Sequence, residues 1–142
     1  MGLKLKAAIY TVVSLNNSRM KPQQKKSMHV ISRAQSFWYA VSGLVQLIVL
    51  EPNARIHTVA TIAVVTAGFF RHLDPGKWMA ILIAIGIVWI TEALNTCIEK
   101  LCNIWCKNEW HPEVKVIKDI AAGAVLISAI ISIIIGVIVF FF

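Results

Sequence analysis

Three polar side chains recur at helical spacing inside an otherwise apolar stretch of the sequence. Glu92, Asn95 and Glu99 are spaced i, i+3 and i+7, so about 100° of rotation per residue places all three on one face of an α-helix. An unpaired charge near the centre of a bilayer costs about 2.5 to 3.5 kcal/mol or more. Acids in such a stretch should therefore face a partner, a cavity or a bound cation.

Other polar residues that suit the same chemistry lie in separate segments. They comprise carboxylates, an amide and cations, and we expect them at the membrane surface that Glu92 and Glu99 approach. Carboxylate oxygens hold Mg²⁺ while the ion holds phosphate oxygens, and a lysine neutralises further phosphate charge. Because the sequence lacks a G-x-x-x-x-G-K-[ST] loop, a metal-nucleotide site here would not be of the P-loop kind. These residues are Glu51, Asn53, Arg55, Lys118 and Asp119.

Two alternatives use the same acids without catalysis. In the first, Glu92 and Glu99 form interhelical salt bridges with nearby lysines and only order the helix bundle. In the second, they line a small proton or cation pathway, since intramembrane acids also mark ion routes. Such a pathway has no need of Lys118-Asp119 on its cytoplasmic flank. Magnesium-dependent protection by ATP would separate a metal-nucleotide site from a channel.

The elements that must position these residues are helices in a membrane. The chain has 142 residues, of which 58% are hydrophobic, and a mean hydropathy of +0.72, well above that of a soluble domain. Seven basic residues and no acid precede residue 36, so the whole net charge of +7 belongs to the N-terminal segment. Such a segment usually stays on the cytoplasmic side, on anionic headgroups. We do not expect nucleic-acid binding, because so apolar a chain offers no soluble basic face.

The pattern predicts an all-α integral membrane domain over residues 28–142 that follows a basic N-terminal extension, 1–27. An interfacial amphipathic helix is predicted at about 28–50 and ends before Pro52. Transmembrane spans are predicted at about 56–70, 78–99 and 120–142. The link from Lys100 to Lys118 holds four lysines, so the positive-inside rule places it and the N-terminus in the cytoplasm.

The polar stripe also resembles a known signature. Glu92-Ala-Leu-Asn95-Thr-Cys-Ile-Glu99 resembles the E-x-L-N-[ST]-[SA]-I-E motif of the prokaryotic diacylglycerol kinases, a family that includes undecaprenol kinases. The likeness extends in the same order from residue 33 to about 140. Supporting matches are Tyr39-Ala-Val-Ser-Gly43-Leu, Glu51-Pro-Asn53-Ala-Arg55-Ile-His57, Glu109-Trp-His111 and Lys118-Asp119-Ile-Ala-Ala-Gly123.

This resemblance implies an activity and an assembly. It implies a lipid kinase that uses ATP and Mg²⁺ to phosphorylate diacylglycerol or undecaprenol, in phospholipid or cell-envelope lipid recycling. It further implies a homotrimer in the bacterial inner membrane, with one surface helix and three spans per subunit. The active sites would then lie between subunits, on the cytoplasmic side.

The resemblance also implies residue roles. Glu92 aligns with the catalytic base of the family, and Glu51 and Glu99 align with its magnesium-binding carboxylates. Gly43, Asn53 and Arg55 are expected at the lipid substrate. The residues expected to hold ATP are Arg33 (which aligns with a one-residue offset), Tyr39, Glu51, Asn95, Glu99, Glu109, His111, Lys118 and Asp119.

Three positions depart from the family pattern. Cys97 replaces the usual Ser or Ala of the signature. Asn103 stands where the signature normally ends in Asp, which removes a negative charge near the site and leaves open a degenerate member of the family. His57 replaces the acid of some members and resembles the undecaprenol kinase branch.

Overall fold

The structure is a computed structural model that describes residues 33–107 and 109–142, with side chains from Gln35 onward. The described residues form four helices, which confirms the all-α prediction. The predicted extension 1–27, residues 28–32 of the surface helix and the side chain of Arg33 lie outside the described residues. The helices are α1 (Arg33–Leu50), α2 (Pro52–Phe70), α3 (Pro75–Trp105) and α4 (Pro112–Phe141).

The chain divides into two compact units within α1. The first unit ends at Val45 and the second comprises Gln46–Phe142. Tyr39 and Gly43 therefore belong to the first unit. All other candidate residues with described side chains belong to the second.

The break between α1 and α2 is set by a proline. Pro52 disfavours the helical conformation of the residue before it, and Glu51 is extended, with φ −99° and ψ 122°. Pro52 itself suits the first position of α2, where its missing N–H would have no helical partner. The Arg55 guanidinium then donates to the Val49 carbonyl at 2.9 Å. A cation thereby satisfies a carbonyl at the C-terminal end of α1.

The long helix α3 begins with a complete N-terminal cap. Asp74 accepts a hydrogen bond from the Lys77 N–H at 3.0 Å, and Pro75 opens the helix. The helix then runs for 31 residues. At about 1.5 Å per residue this is about 46 Å, against about 30 Å for the hydrocarbon core of a bilayer. The helix is therefore longer than the apolar span that the sequence shows.

The link between the last two helices is shorter than the predicted Lys100 to Lys118 segment. Only residues 106–111 connect α3 to α4. The prediction ended the elements where the apolar residues end, but charged residues such as Lys100 and Lys115 are good helix formers. The helix starts again at Pro112, after Lys107 has adopted a positive φ of 51°.

The helix pair α3 and α4 is joined by hydroxyl groups as well as apolar residues. The hydroxyl oxygens of Thr91 and Ser128 are 2.8 Å apart, and Ser132 donates to the Ala84 carbonyl at 3.1 Å. Trp89 donates from Nε1 to the Thr61 hydroxyl at 3.1 Å, which connects α3 to α2. Small hydroxyl residues allow close helix packing and hydrogen bonding where lipid supplies no water.

Two of the described helices are long and apolar enough to cross a membrane. The most apolar windows of α3 and α4 have mean hydropathies of 2.0 and 3.1. The predicted span 56–70 lies in α2, which does not qualify alone because Asn53, Arg55 and His57 lower its hydropathy. It qualifies only together with α1, across the bend at Glu51. The described residues therefore supply two crossings, or three if the bent pair forms one.

Candidate active site

A buried carboxylate lies where α2 and α3 meet. Glu92 on α3 is 1% exposed, and its Oε2 atom has no hydrogen-bond partner among the described residues. The nearby basic group is His57 on α2, whose Nε2 atom lies 3.9 Å from Glu92 Oε2. That distance is too long for a hydrogen bond. A carboxylate without a partner is unusual in an apolar interior and indicates a functional group.

A buried amide lies one turn further along α3. Asn95 is 6% exposed, and its Oδ1 atom also lacks a partner within the described residues. This side chain lines a cleft of about 240 Å³ in which α2, α3 and α4 meet. The two helices flanking α3 contribute polar groups from α2 and apolar groups from α4. The other lining residues are Asn53, Ile56, His57, Ala122, Val125, Leu126 and Ala129.

Two further carboxylates belong to the same region. Glu51, at the start of α2, forms an ion pair with Lys100 of α3 at 2.9 Å. Both Glu51 and Glu99 are close enough to Glu92 to act electrostatically on its carboxylate. The two predicted magnesium-binding carboxylates thus lie within electrostatic range of the predicted catalytic acid.

The donor set fits a magnesium ion that also binds phosphate. The described residues hold no cluster of three or more His, Cys, Asp or Glu side chains placed to hold a metal by themselves. Mg²⁺ is usually bound through one or two carboxylates, with waters and substrate phosphates completing its octahedron. Glu51 and Glu99 supply that number of carboxylates, and both are hard oxygen donors.

The predicted phosphate residues at the start of α4 contact other partners. Lys118 donates to the Asn103 amide oxygen at 2.7 Å, which joins α4 to α3 beyond the apolar span. Asp119 is exposed and pairs with Lys115 of its own helix at 2.6 Å. The ion pairs of the described residues therefore do not bring Asp119 to Glu51 or Glu99, contrary to the expected single cluster.

The remaining predicted site residues occupy several places. Glu109 is exposed in the α3 to α4 link, whereas the Nδ1 atom of His111 is buried without a partner among the described residues. The His111 ring packs edge-on against Trp105, with ring centroids 5.7 Å apart. In the first unit, Tyr39 is exposed and no atom approaches within 4 Å of a Cβ built on Gly43.

His57 is the residue at this site to which the sequence analysis assigned no role. Its position next to Glu92 depends on how α2 packs on α3, which spacing in the sequence does not specify. A signal was nevertheless present, because an ionisable side chain within an apolar run is itself a functional indication. His57 interrupts the apolar run that begins at Ile56.

Comparisons with known proteins identify the family of this chain. The model of the prokaryotic diacylglycerol kinase family matches residues 38–140. A diacylglycerol kinase of Synechocystis sp. is 35% identical over 117 residues, which are 82% of this chain and 67% of that protein. An undecaprenol kinase of Bacillus subtilis is 39% identical over 106 residues, which are 75% of this chain and 85% of that protein. The chain therefore belongs to the prokaryotic diacylglycerol kinase family and is a membrane-embedded lipid kinase.

Proposed function

We propose that this kinase transfers the γ-phosphoryl group of MgATP to the hydroxyl of diacylglycerol or undecaprenol, in phospholipid or cell-envelope lipid recycling. The observation that supports this most directly is the pair of buried oxygens without partners among the described residues, Glu92 Oε2 and Asn95 Oδ1, of which the second belongs to a residue that lines a cleft. A purely structural polar stripe would satisfy such atoms within the bundle, because an unpaired buried polar group costs free energy.

Glu92 accepts the proton of the lipid hydroxyl as the hydroxyl oxygen attacks the γ-phosphorus. The bond from that phosphorus to the β,γ-bridging oxygen breaks, and ADP leaves with the electron pair. The lipid is proposed to occupy the cleft that Asn95 lines, whose α4 side is apolar and suits a hydrocarbon chain, while Asn53 and Asn95 suit a polar end. Phosphoryl transfer asks little covalent chemistry of the protein, so positioning and charge neutralisation supply most of the rate enhancement.

The nucleotide end of the site is built from charges above the apolar span. Glu51 and Glu99 would hold Mg²⁺, which when bound neutralises phosphate charge. The Lys100 ion pair fixes Glu51 from α3, and Lys118 supplies positive charge from α4. Further nucleotide contacts are proposed for Arg33, Tyr39, Asn95, Glu109, His111 and Asp119, and further lipid contacts for Gly43, Asn53 and Arg55.

The proposed assembly is a homotrimer in the bacterial inner membrane, with the N-terminus and the active site in the cytoplasm. Asp119 is exposed and pairs along its own helix rather than with the acids around Glu92. A site shared between subunits accounts for this, because a neighbouring chain can supply what one chain leaves apart. The three spans of each subunit would include α2, whose polar residues then face protein rather than lipid.

Replacement of Glu92 by Gln tests the proposed base. The variant keeps the shape of the side chain but cannot accept a proton, so we expect kcat to fall by about 100- to 10,000-fold. The measurement is ATP-dependent phosphorylation by purified protein in lipid bicelles, with diacylglycerol and undecaprenol in parallel. The lipid that gives the higher kcat/KM with the unaltered protein identifies the preferred substrate.

Glu113→Gln is the matched control, since Glu113 is an exposed acid in the first turn of α4. This variant should phosphorylate lipid at close to the native rate. If Glu92→Gln also kept near-native activity, Glu92 would not be the base and the proposed mechanism would be wrong.

A further inference from the structure

His57 adjoins both Glu92 and two cavities of the bundle. One is the 240 Å³ cleft that also contains Asn95, and the other is an apolar cavity of about 90 Å³ between α2, α3 and α4. Glu92 lines neither of them, whereas the His57 ring lines both. The imidazole is therefore an ionisable side chain that lies next to the buried carboxylate and also lines the cleft.

The surroundings of Glu92 make its ionised form costly without a compensating charge. Its carboxylate is 1% exposed, and the other acids that act on it, Glu51 and Glu99, carry the same sign. Along the cleft, α4 contributes apolar side chains alone, so it brings no positive charge to this wall. Among the groups that act on Glu92 in the described residues, His57 is the one that can become a cation.

We propose that His57 is a positioning residue for phosphoryl transfer, and that its imidazolium form holds Glu92 as the carboxylate that can accept the lipid proton. The inference rests on the proposed function, in which Glu92 is the base. An opposite charge within about 4 to 6 Å favours an ionised carboxylate by about 10- to 1000-fold. The separation of 3.9 Å between Nε2 and Oε2 falls at the short end of this range.

In this role His57 acts through its charge rather than through a hydrogen bond. At 3.9 Å the imidazole N–H does not bond directly to Glu92, so a neutral donor at position 57 should not replace it. A permanent cation should replace it in part. The two cavities beside His57 leave room for the longer side chain of arginine. His57→Gln and His57→Arg therefore separate the contribution of charge from that of shape.

We expect His57→Gln to lower kcat by about 10- to 100-fold, with the KM for ATP changed less than about twofold, because the nucleotide end is untouched. His57→Arg should recover at least about tenfold of that loss, since guanidinium stays protonated. Both variants are measured at saturating lipid and ATP in bicelles. His72→Asn is the control at the other end of α2, where His72 is exposed and has a positive φ of 48° that Asn tolerates.

Native kcat in His57→Gln would overturn the inference. Equal losses of kcat in the Gln and Arg variants would overturn it as well, because they would indicate packing rather than charge. Neither result would contradict the proposed function. That function has its own test and is wrong if Glu92→Gln stays active. Loss of activity in Glu92→Gln with native activity in His57→Gln would thus remove His57 alone.

Discussion

The amide oxygen of Asn103 accepts a hydrogen bond from Lys118 at 2.7 Å. In the family signature this position normally carries Asp, and the structure shows what the exchange changes. With Asp, the lysine would be part of an ion pair, whereas the neutral amide leaves its positive charge uncompensated. In the proposed site, where Lys118 binds phosphate, this departure from the signature would favour phosphate binding.

Asn103→Asp tests this interpretation. An exposed ion pair contributes about 0.2 to 1 kcal/mol, so the variant should raise the KM for ATP by about 1.5- to 5-fold, with kcat little changed. Initial rates over a range of ATP concentrations at saturating lipid give both constants. Asn103→Gln keeps the amide and should keep the native KM. An unchanged or lower KM in the Asp variant would show that Lys118 does not contact the nucleotide.

The spacing of residues in the sequence was sufficient to predict how part of the candidate site is arranged. Glu92, Asn95 and Glu99 share a face of one continuous helix, so their relation follows from helix geometry alone. Glu51 joins them through its ion pair with Lys100. The pairing of Asp119 with Lys115 was not foreseen, since an exposed partner four residues away competes locally with a distant cluster.

At the scale of the elements, the turn between α2 and α3 depends on a glycine. A Cβ built on Gly68 would lie 2.9 Å from Cη2 of Trp78, closer than van der Waals contact allows. The Trp78 ring also packs on Phe69, with ring centroids 4.9 Å apart, so it has little freedom to move away. The close approach of the two helices therefore requires the absence of a side chain at position 68.

Gly68→Ala should lower the free energy of unfolding by about 1 to 3 kcal/mol, the usual cost of overpacking. Thermal unfolding of the purified protein in detergent, followed by circular dichroism, measures the effect. Gly86→Ala is the matched control, because no atom lies within 4 Å of a Cβ built at that helix position. It should leave stability unchanged or slightly higher. Equal behaviour of the two variants would contradict the packing at Trp78.

The helix ends show which parts of the fold are determined by local sequence. Pro52, Pro75 and Pro112 each open a helix, and the Asp74 cap is a local signal. The extension of α3 to Trp105 was missed because hydropathy marks the depth of the membrane rather than the end of a helix. Residues that lie beyond the hydrocarbon core of the membrane can still belong to the helix.

At the scale of the whole molecule, the described part of the chain exposes many large apolar side chains. Along the spans these include Leu82 at 58%, Ile90 at 62% and Ile127 at 62% exposure. Lipid covers part of such a surface, and contacts between chains can cover another part. The exposure agrees with a membrane protein and leaves surface for the proposed homotrimer.

Native mass spectrometry of the protein released from mild detergent micelles tests the assembly. We expect the main species to have three times the mass of the 15.8 kDa chain. The Glu113→Gln variant should give the same species, since that acid is exposed in the first turn of α4, before the apolar part of the helix. A preparation that is fully active yet entirely monomeric would contradict both the trimer and a site shared between subunits.

The length of α3 has a consequence for how two unlike substrates meet. A helix of about 46 Å in a hydrocarbon layer of about 30 Å leaves about 16 Å in the headgroup layer and the water beyond it. Glu92 lies deeper along that helix and Asn103 nearer its free end. The lipid alcohol can thus stay in the bilayer while the triphosphate of ATP stays hydrated. Because one rigid helix extends from the bilayer into the water, neither substrate of the proposed reaction has to leave its own phase before the two react.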